Sequence, residues 1–208
     1  MLHLKVNSVA PQPEIVQRAA IAVREGHIVA FPTDTFYGLA VDPVSAAAIA
    51  HLFEVKGRPA ERAVPLVAAD AADVERLVVP LRGHAAELAR RFWPGPLSLV
   101  LPAPENLTHA AAANGTLAVR VPGSEVARDL ARSAGGLITA TSANLSGMPP
   151  AATADAVIAA LGESVAIVLD AGPAPGGMPS TIVDARERFV RLVREGAVPW
   201  NRVLESLQ

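Results

Sequence analysis

The apolar positions of the chain repeat at two spacings, and each spacing predicts one kind of secondary structure. Short apolar or alternating runs predict strands at 2–6, 28–31, 37–41, 64–68, 97–101, 116–121, 137–140, 165–169, 181–183 and 189–193. Apolar residues three and four positions apart predict helices at 15–23, 45–55, 71–77, 83–92, 124–133, 153–161 and 198–207. Helices and strands alternate, but hairpin-like pairs occur at both ends, so the predicted fold class is α/β with a mixed sheet.

Residues at the ends of these segments support the boundaries. Ser45 and Thr153 stand where helix N-caps are expected, and Pro59 keeps the segment after the second helix non-helical. Lys56 and Arg58 are therefore expected just past a helix C-terminus, in a loop. The stretch 102–115 predicts a further loop.

The strand predicted at 116–121 carries one arginine. Arg120 has the parity of Thr116 and Ala118, opposite Leu117 and Val119. Because successive side chains of a strand point to opposite faces, Arg120 is expected on a polar face or in a cleft.

Length and composition restrict the class of protein. The 208 residues are expected to form a single domain at 1–208, with its core at about 12–196 and a short C-terminal helix after it. A formal charge of -2 argues against a protein that coats nucleic acid through bulk positive charge. The chain lacks cysteine and its five histidines are scattered, which excludes thiolate chemistry and predicts no protein-built metal site.

The N-terminal segment lacks the basic start and long apolar core of a signal peptide, and no apolar run approaches a membrane span. We therefore expect a cytoplasmic protein with no membrane partner. Neither the Rossmann fingerprint nor the Walker phosphate loop is present, so any use of ATP must rely on other residues.

Two short segments have the chemistry of an anion site. Lys56 is one of only two lysines in the chain, and Arg58 follows two residues later. Lysine offers a point charge and arginine a planar fork, a pair that suits an anion with several oxygens. Ser142 and Asn144 stand ahead of Gly147, where backbone N–H groups can also face an anion. The alternatives are a solvated Lys/Arg pair and a Ser/Asn turn with local capping bonds.

A third segment, PTDTFYGL at 32–39, follows an apolar run and carries two threonines, an aspartate and a tyrosine in one turn. Taken alone, it is compatible with an ordinary strand-turn-strand, because Thr and Asp are common in turns. The occurrence of all three segments in one chain favours a functional site.

With these segments in order, the chain resembles the YrdC/TsaC family of threonylcarbamoyl-AMP synthases from about Gly26 to Gly196. The motifs that carry the resemblance are PTDTFYGL at 32–39, KGRP at 56–59, FWPGPL at 92–97, VRVP at 119–122, SANLSG at 142–147, PSTIVD at 179–184 and REG at 194–196. The resemblance implies a single-domain, twisted, open mixed α/β sheet with a concave active-site cleft.

The resemblance also implies a reaction that joins L-threonine, bicarbonate and ATP, with Mg²⁺, into threonylcarbamoyl-adenylate and pyrophosphate. The product feeds a separate complex that makes threonylcarbamoyladenosine (t6A) in tRNA, and a weak contact with tRNA is a further expectation. By position, Lys56 and Arg58 are implied as catalytic residues. Those implied to bind ATP or its phosphates are Lys56, Arg58, Arg62, Thr116, Ser142, Asn144 and Arg194. Those implied to bind threonine are Thr35, Arg120 and Ser180.

Two positions depart from the pattern of some relatives. Val67 stands where these have a histidine, and Pro150 where these have a serine, so contacts there are lost or replaced by Arg62. Two other functions stay open, namely another carbamoyl or adenylate transfer by a YrdC-like paralogue and a non-catalytic RNA-binding module. The net negative charge weighs against the RNA-binding module.

Overall fold

The computed structural model describes residues 1–57, 63–107, 112 and 114–208. The helices are α1 (Pro13–Arg24), α2 (Ala46–Lys56), α3 (Ala71–Leu77), α4 (Gly83–Phe92), α5 (Glu125–Ala134), α6 (Ala154–Leu161) and α7 (Trp200–Glu205). A 3₁₀ turn at Gly162–Ser164 follows α6. Within the described ranges, no helix has the length and apolar character needed to cross a membrane.

Ten strands of the described residues follow the predicted runs, with ends that differ by no more than two residues, whereas the short strand at 141–142 was not predicted. The strands are β1 (Leu2–Lys5), β2 (Val29–Phe31), β3 (Gly38–Ala40), β4 (Leu66–Ala68), β5 (Leu97–Pro102), β6 (Thr116–Arg120), β7 (Leu137–Thr139), β8 (Thr141–Ser142), β9 (Ile167–Asp170), β10 (Thr181–Asp184) and β11 (Arg191–Arg194). The loop predicted at 102–115 falls partly on residues 108–111 and 113, which lie outside the described residues.

The strands form two mixed sheets. The first sheet has the order β1-β9-β2-β3-β8, and the second has the order β11-β10-β5-β6-β4-β7. In the first sheet β2 runs parallel to β9 and antiparallel to β3, and in the second β5 runs parallel to β10 and antiparallel to β6. The predicted α/β class with mixed strands is confirmed, and the strands divide between two sheets instead of joining in one.

The chain passes from the second sheet to the first between β7 and β8. Strand β7 pairs with β4, whereas β8 pairs with β3. Between them, the N–H of Thr139 donates to the carbonyl of Val41 at 3.1 Å, and the N–H of Ala140 donates to that of Pro65 at 2.7 Å. The continuous segment 137–142 therefore contributes one strand to each sheet, and hydrophobic periodicity alone does not indicate this division.

Helix α5 illustrates how the apolar periodicity builds the core. Its buried residues, Val126, Ala127, Leu130 and Ala131, lie three and four positions apart, and the helix packs against α1 and β4. The alanines let the two helices approach closely. Burial of a leucine side chain such as Leu130 contributes about 2 kcal/mol to folding.

Side-chain caps begin two helices where the sequence predicts them. Oγ of Ser45 accepts a hydrogen bond from the N–H of Ala48 at 3.2 Å, and Oγ1 of Thr153 accepts one from the N–H of Ala156 at 3.2 Å. Each cap satisfies a backbone donor that has no partner inside its helix. Both predicted N-caps are therefore confirmed.

The end of α2 differs from the prediction. Gly57 adopts the left-handed conformation, with φ of 59°, and terminates the helix after Lys56. Lys56 is therefore the last residue of α2, and its predicted place in the following loop is wrong. Arg58 lies outside the described residues.

A charged cluster joins β1 to β9. Asp170 is 6% exposed, and its carboxylate accepts hydrogen bonds from Lys5, His3 and the backbone N–H of Gly172. Burial by itself would raise the pKa of Asp170, but the hydrogen bonds from Lys5, Gly172 and His3 outweigh it and lower this pKa to about 2. The ionised carboxylate therefore stabilises the fold above the pKa of about 4 that an aspartate has in the unfolded chain.

This stabilisation is expected to disappear as the pH falls from about 4 to about 2. Asp170→Asn should lower the free energy of unfolding by about 1–2 kcal/mol at pH 7, where solvent around the exposed Lys5 screens part of the effect. The difference from wild type should shrink at acid pH, as followed by urea unfolding between pH 7 and pH 2.5. Asp129→Asn, which alters an exposed pair with Arg132, is the control. A difference that stayed constant across this range would contradict the assignment.

Candidate active site

A cavity of about 590 Å³ opens between the two sheets. One wall comes from the turn before β3 and from β8, and the other comes from β4, β5, β6, β10 and β11. Its volume is typical of a small-molecule site. Seven residues implicated by sequence line it, namely Thr35, Thr116, Arg120, Ser142, Asn144, Ser180 and Arg194. The fold thus brings side chains that are distant in sequence to one place.

The other three implicated residues are placed differently. Arg58 and Arg62 lie outside the described residues. Lys56 is 4% exposed and sits beneath the segment 142–146 instead of on the cavity wall. The alternative of a solvated Lys/Arg pair is therefore wrong for Lys56.

Lys56 holds the segment 142–146 through both its side chain and its backbone. Nζ donates hydrogen bonds to the carbonyls of Ser142 and Asn144, the latter at 2.7 Å. The carbonyl of Lys56 accepts a hydrogen bond from the N–H of Ser146 at 2.9 Å. The end of α2 therefore determines where the Ser142 hydroxyl, which is exposed at the cavity, is presented.

Asn144 makes the local turn bonds that the sequence left open as an alternative. Its Nδ2 donates to the carbonyl of Leu145 at 2.9 Å and to that of Met148 at 2.6 Å. Both amide hydrogens are then committed to the loop. Oδ1 is buried and has no hydrogen-bond partner among the described residues. Asn144 therefore shapes this wall of the cavity, and its amide has no hydrogen left for a phosphate oxygen.

The Arg120 side chain faces the cavity, as its parity in the strand predicts. It is 7% exposed, and Nη1 donates to Oδ1 of Asp34 at 2.9 Å. Nη2 lies 3.2 Å from the hydroxyl of Thr33 and 3.3 Å from that of Thr35. Burial lowers the pKa of Arg120, and the charge of Asp34 opposes that effect.

Asp34 and Thr33 are residues of this site that sequence reasoning missed. The motif at 32–39 places the carboxylate of Asp34 between two threonines. Aspartate is so common in turns that this signal alone does not separate a turn former from a partner of a distant arginine.

The threonine hydroxyls have a defined direction of hydrogen bonding. Oγ1 of Thr33 donates to the carbonyl of Phe36 at 2.7 Å, which uses its only proton. The two hydroxyls lie 3.0 Å apart, and because the proton of Thr33 is engaged elsewhere, any hydrogen bond between them is donated by Thr35. Thr35 is thereby left with acceptor capacity at the cavity, which suits an amine or a hydroxyl of a ligand.

Ser180 and Arg194 form a polar group on the second sheet. Oγ of Ser180 lies 3.1 Å from Oγ of Ser98, and Nη2 of Arg194 donates to the carbonyl of Ser180 at 2.7 Å. Among the described residues, the hydrogen bonds of Arg194 reach Ser180 and no carboxylate. Desolvation of the guanidinium at the cavity lowers the pKa of Arg194 even though the residue as a whole is exposed, and the positive charge of Arg120 lowers it further. Two guanidinium groups thus face one cavity, an arrangement that favours an anionic ligand.

The two departures noted in the sequence differ in their relation to the cavity. Pro150 lines it, so the position affects the shape of the wall. Val67 is fully buried in β4, where it pairs with Arg120 in register. A valine there belongs to the apolar core and offers no hydrogen bond.

The fold and this cavity define a member of the Sua5/YciO/YrdC family. The chain belongs to it, because the family model, described as "Telomere recombination", matches residues 21–196. It is 38% identical to the threonylcarbamoyl-AMP synthase of Bacillus subtilis strain 168, with 92% of this chain and 56% of that protein covered. It is 35% identical to the threonylcarbamoyl-AMP synthase of Vibrio cholerae El Tor Inaba N16961, with 88% of this chain and 98% of that protein covered.

Solved structures agree with this placement. The crystal structure of Pyrococcus abyssi Sua5 complexed with L-threonine matches with a TM-score of 0.93 and 34% identity. The match covers 100% of this chain and 61% of that one, so the chain spans about three fifths of that relative's length. Escherichia coli YciO matches with a TM-score of 0.84 at 21% identity, covering 95% of this chain and 97% of that one, which supports the fold alone.

Proposed function

We propose that this chain is a threonylcarbamoyl-AMP synthase, which makes threonylcarbamoyl-adenylate and pyrophosphate from L-threonine, bicarbonate and ATP for t6A formation in tRNA. The observation that carries the proposal is the convergence of two guanidinium groups and several hydroxyls on one cavity. Relatives of this name cover most of the chain at 35% and 38% identity. The relative from Pyrococcus abyssi with the same fold was solved with L-threonine.

The reaction brings several anions together, and positive charge at the cavity offsets their repulsion. The amine of L-threonine adds to carbon dioxide supplied by bicarbonate and loses a proton, which gives a carbamate. A carbamate oxygen then attacks the α-phosphorus of ATP. The new O–P bond forms as the bond to the β-phosphate oxygen breaks, and pyrophosphate leaves. Fixed cations near the attacking and leaving oxygens stabilise the charge that develops there.

The cavity suggests two sets of ligand contacts, and each set draws on both walls. In the first set, Arg120 pairs with the carboxylate of threonine, and Thr35 accepts a hydrogen bond from its amine or hydroxyl. Ser180 contributes a further hydroxyl to the same ligand. In the second set, Arg194, Thr116 and Ser142 receive the phosphates of ATP, and the sequence resemblance adds Arg58 and Arg62 to these. Lys56 and Asn144 act through the loop that presents Ser142.

Mg²⁺ enters the proposal as the partner of the ATP phosphates. Among the described residues, no group of three or more His, Asp and Glu side chains is placed to hold a metal ion. The phosphates and water would therefore supply most of its ligands, as is usual for Mg²⁺ with nucleotides. The proposal takes residues 1–208 as one catalytic domain that acts in the cytoplasm.

Release of pyrophosphate tests the proposed function. We expect release only when L-threonine, bicarbonate and ATP are all present, and loss of the signal when any one of them is omitted. Arg18→Met, which changes an exposed residue of α1, should retain the activity and serves as the control. Release that did not depend on threonine would contradict the proposal. Tight RNA binding without ATP, with a steep salt dependence, would favour the RNA-binding alternative instead.

A further inference from the structure

Only one of the two oxygens of the Asp34 carboxylate has a hydrogen-bond partner among the described residues. Its side chain is 16% exposed, and Oδ1 accepts the hydrogen bond from Nη1 of Arg120. Oδ2 is buried and has no hydrogen-bond partner among the described residues. A buried carboxylate oxygen without a donor is costly, and such groups are often kept for function.

Gly123 closes the other side of the carboxylate. A Cβ atom at this glycine would lie 3.3 Å from both Cβ and Oδ2 of Asp34. The φ of Gly123 is not positive, so a glycine is not needed here for its backbone conformation. Its lack of a side chain instead lets the Asp34 side chain lie close to the backbone. The carboxylate is therefore confined between this backbone and Arg120.

The turn also engages the second terminal nitrogen of Arg120. Nη1 binds Asp34, and Nη2 lies across the hydroxyls of Thr33 and Thr35. A planar guanidinium held at two of its nitrogens has one orientation, so the part that faces the cavity is fixed as well. The turn orients the guanidinium before any ligand arrives.

We propose that Asp34 is a positioning residue, whose Oδ1 acceptor holds the Arg120 guanidinium in the orientation that receives the carboxylate of threonine. The inference rests on the proposed function, because it takes L-threonine as the ligand of Arg120. It concerns geometry more than charge. The negative charge of Asp34 would repel a substrate carboxylate, so its contribution to binding must come from where it keeps Arg120.

The substitutions Asp34→Ala and Asp34→Asn separate the effect of Asp34 on the orientation of Arg120 from the effect of its negative charge. Alanine removes the acceptor, whereas asparagine keeps a neutral oxygen of the same reach. Both leave Arg120 as a buried cation without its anionic partner, so both should lower the unfolding temperature. We expect Asp34→Ala to weaken L-threonine binding by about tenfold or more, the loss of a charge-assisted hydrogen bond. Asp34→Asn should stay within about threefold of wild type, because it retains the hydrogen bond that orients Arg120.

Calorimetric titration of L-threonine and of ATP into each variant measures the difference in affinity between Asp34→Ala and Asp34→Asn. The affinity for ATP should change less than twofold in both variants, a value of about 0.4 kcal/mol. L-threonine amide, which lacks the carboxylate, should bind wild type and Asp34→Ala equally. Asp42→Ala removes a turn aspartate whose carboxylate accepts a hydrogen bond from the N–H of Val44, and it serves as the matched control.

The possible outcomes are distinct. Equal weakening of threonine binding in both Asp34 variants would overturn the positioning role, because Asp34→Asn keeps the acceptor for Nη1 of Arg120. Unchanged threonine affinity in Asp34→Ala would overturn it as well. If wild type did not bind L-threonine at all, the proposed function would fail, and that result is visible before any variant is made.

Discussion

Lys56→Met is expected to lower the free energy of unfolding by about 2–4 kcal/mol, because the carbonyls of Ser142 and Asn144 would lose their buried donor. Methionine keeps the apolar length of the side chain and removes only the ammonium. Pyrophosphate release should fall at least about tenfold even when the variant is fully folded, because the loop that carries Ser142 is no longer fixed.

Urea unfolding and turnover at saturating substrates measure the two effects separately. Arg18→Met removes a cation from an exposed position of α1 and should change the free energy of unfolding by less than about 0.5 kcal/mol. A Lys56→Met protein as stable as wild type would show that these buried hydrogen bonds do not hold the loop. Normal turnover in the folded variant would remove Lys56 from the catalytic machinery.

Arg120→Ala is expected to be more damaging, with a loss of about 3–5 kcal/mol, because it leaves the carboxylate of Asp34 buried without a cation. Threonine affinity should fall by about thirtyfold or more, since a charge-assisted contact with the carboxylate is lost. The affinity for ATP should change little. The double variant Arg120→Ala with Asp34→Asn should recover part of the stability without recovering threonine binding.

Arg194→Ala is expected to differ from Arg120→Ala both in its effect on stability and in the ligand whose affinity it lowers. Arg194 is exposed, so its removal should cost less than about 1 kcal/mol of stability. Its expected effect is on ATP affinity, whereas that of Arg120→Ala is on threonine affinity. Urea unfolding and titration of both ligands compare the two variants. Equal losses of both affinities in Arg120→Ala would mean that Arg120 only holds the site together.

Local features of the fold were predictable from sequence because they depend on neighbouring residues. The caps at Ser45 and Thr153 and the inward parity of Arg120 each follow from a few consecutive positions. The passage from β7 to β8 was not predictable in this way. It depends on backbone bonds from Thr139 and Ala140 to segments far earlier in the chain.

The chemistry of the site was only partly predictable for a similar reason. A lysine after an apolar helix is usually exposed, and nothing near Lys56 in sequence indicates that two distant carbonyls enclose it. Asp34 looked like an ordinary turn residue until the fold placed Arg120 beside it. The identity and spacing of residues indicated an anion site. The partner of each charged side chain depends on contacts between segments that are distant in sequence, so the sequence alone did not indicate it.

The position of the cavity between the two sheets has a mechanical consequence. The turn before β3 and strand β8 belong to the first sheet, whereas Arg120, Ser180 and Arg194 belong to the second or adjoin it. A ligand that contacts both walls links the two sheets noncovalently. At a ligand concentration of about a hundred times its Kd, binding adds about 2.7 kcal/mol to the free energy of unfolding. We therefore expect substrate binding to restrict movement of one sheet relative to the other, so that the empty and the loaded protein differ in stiffness before any chemical step.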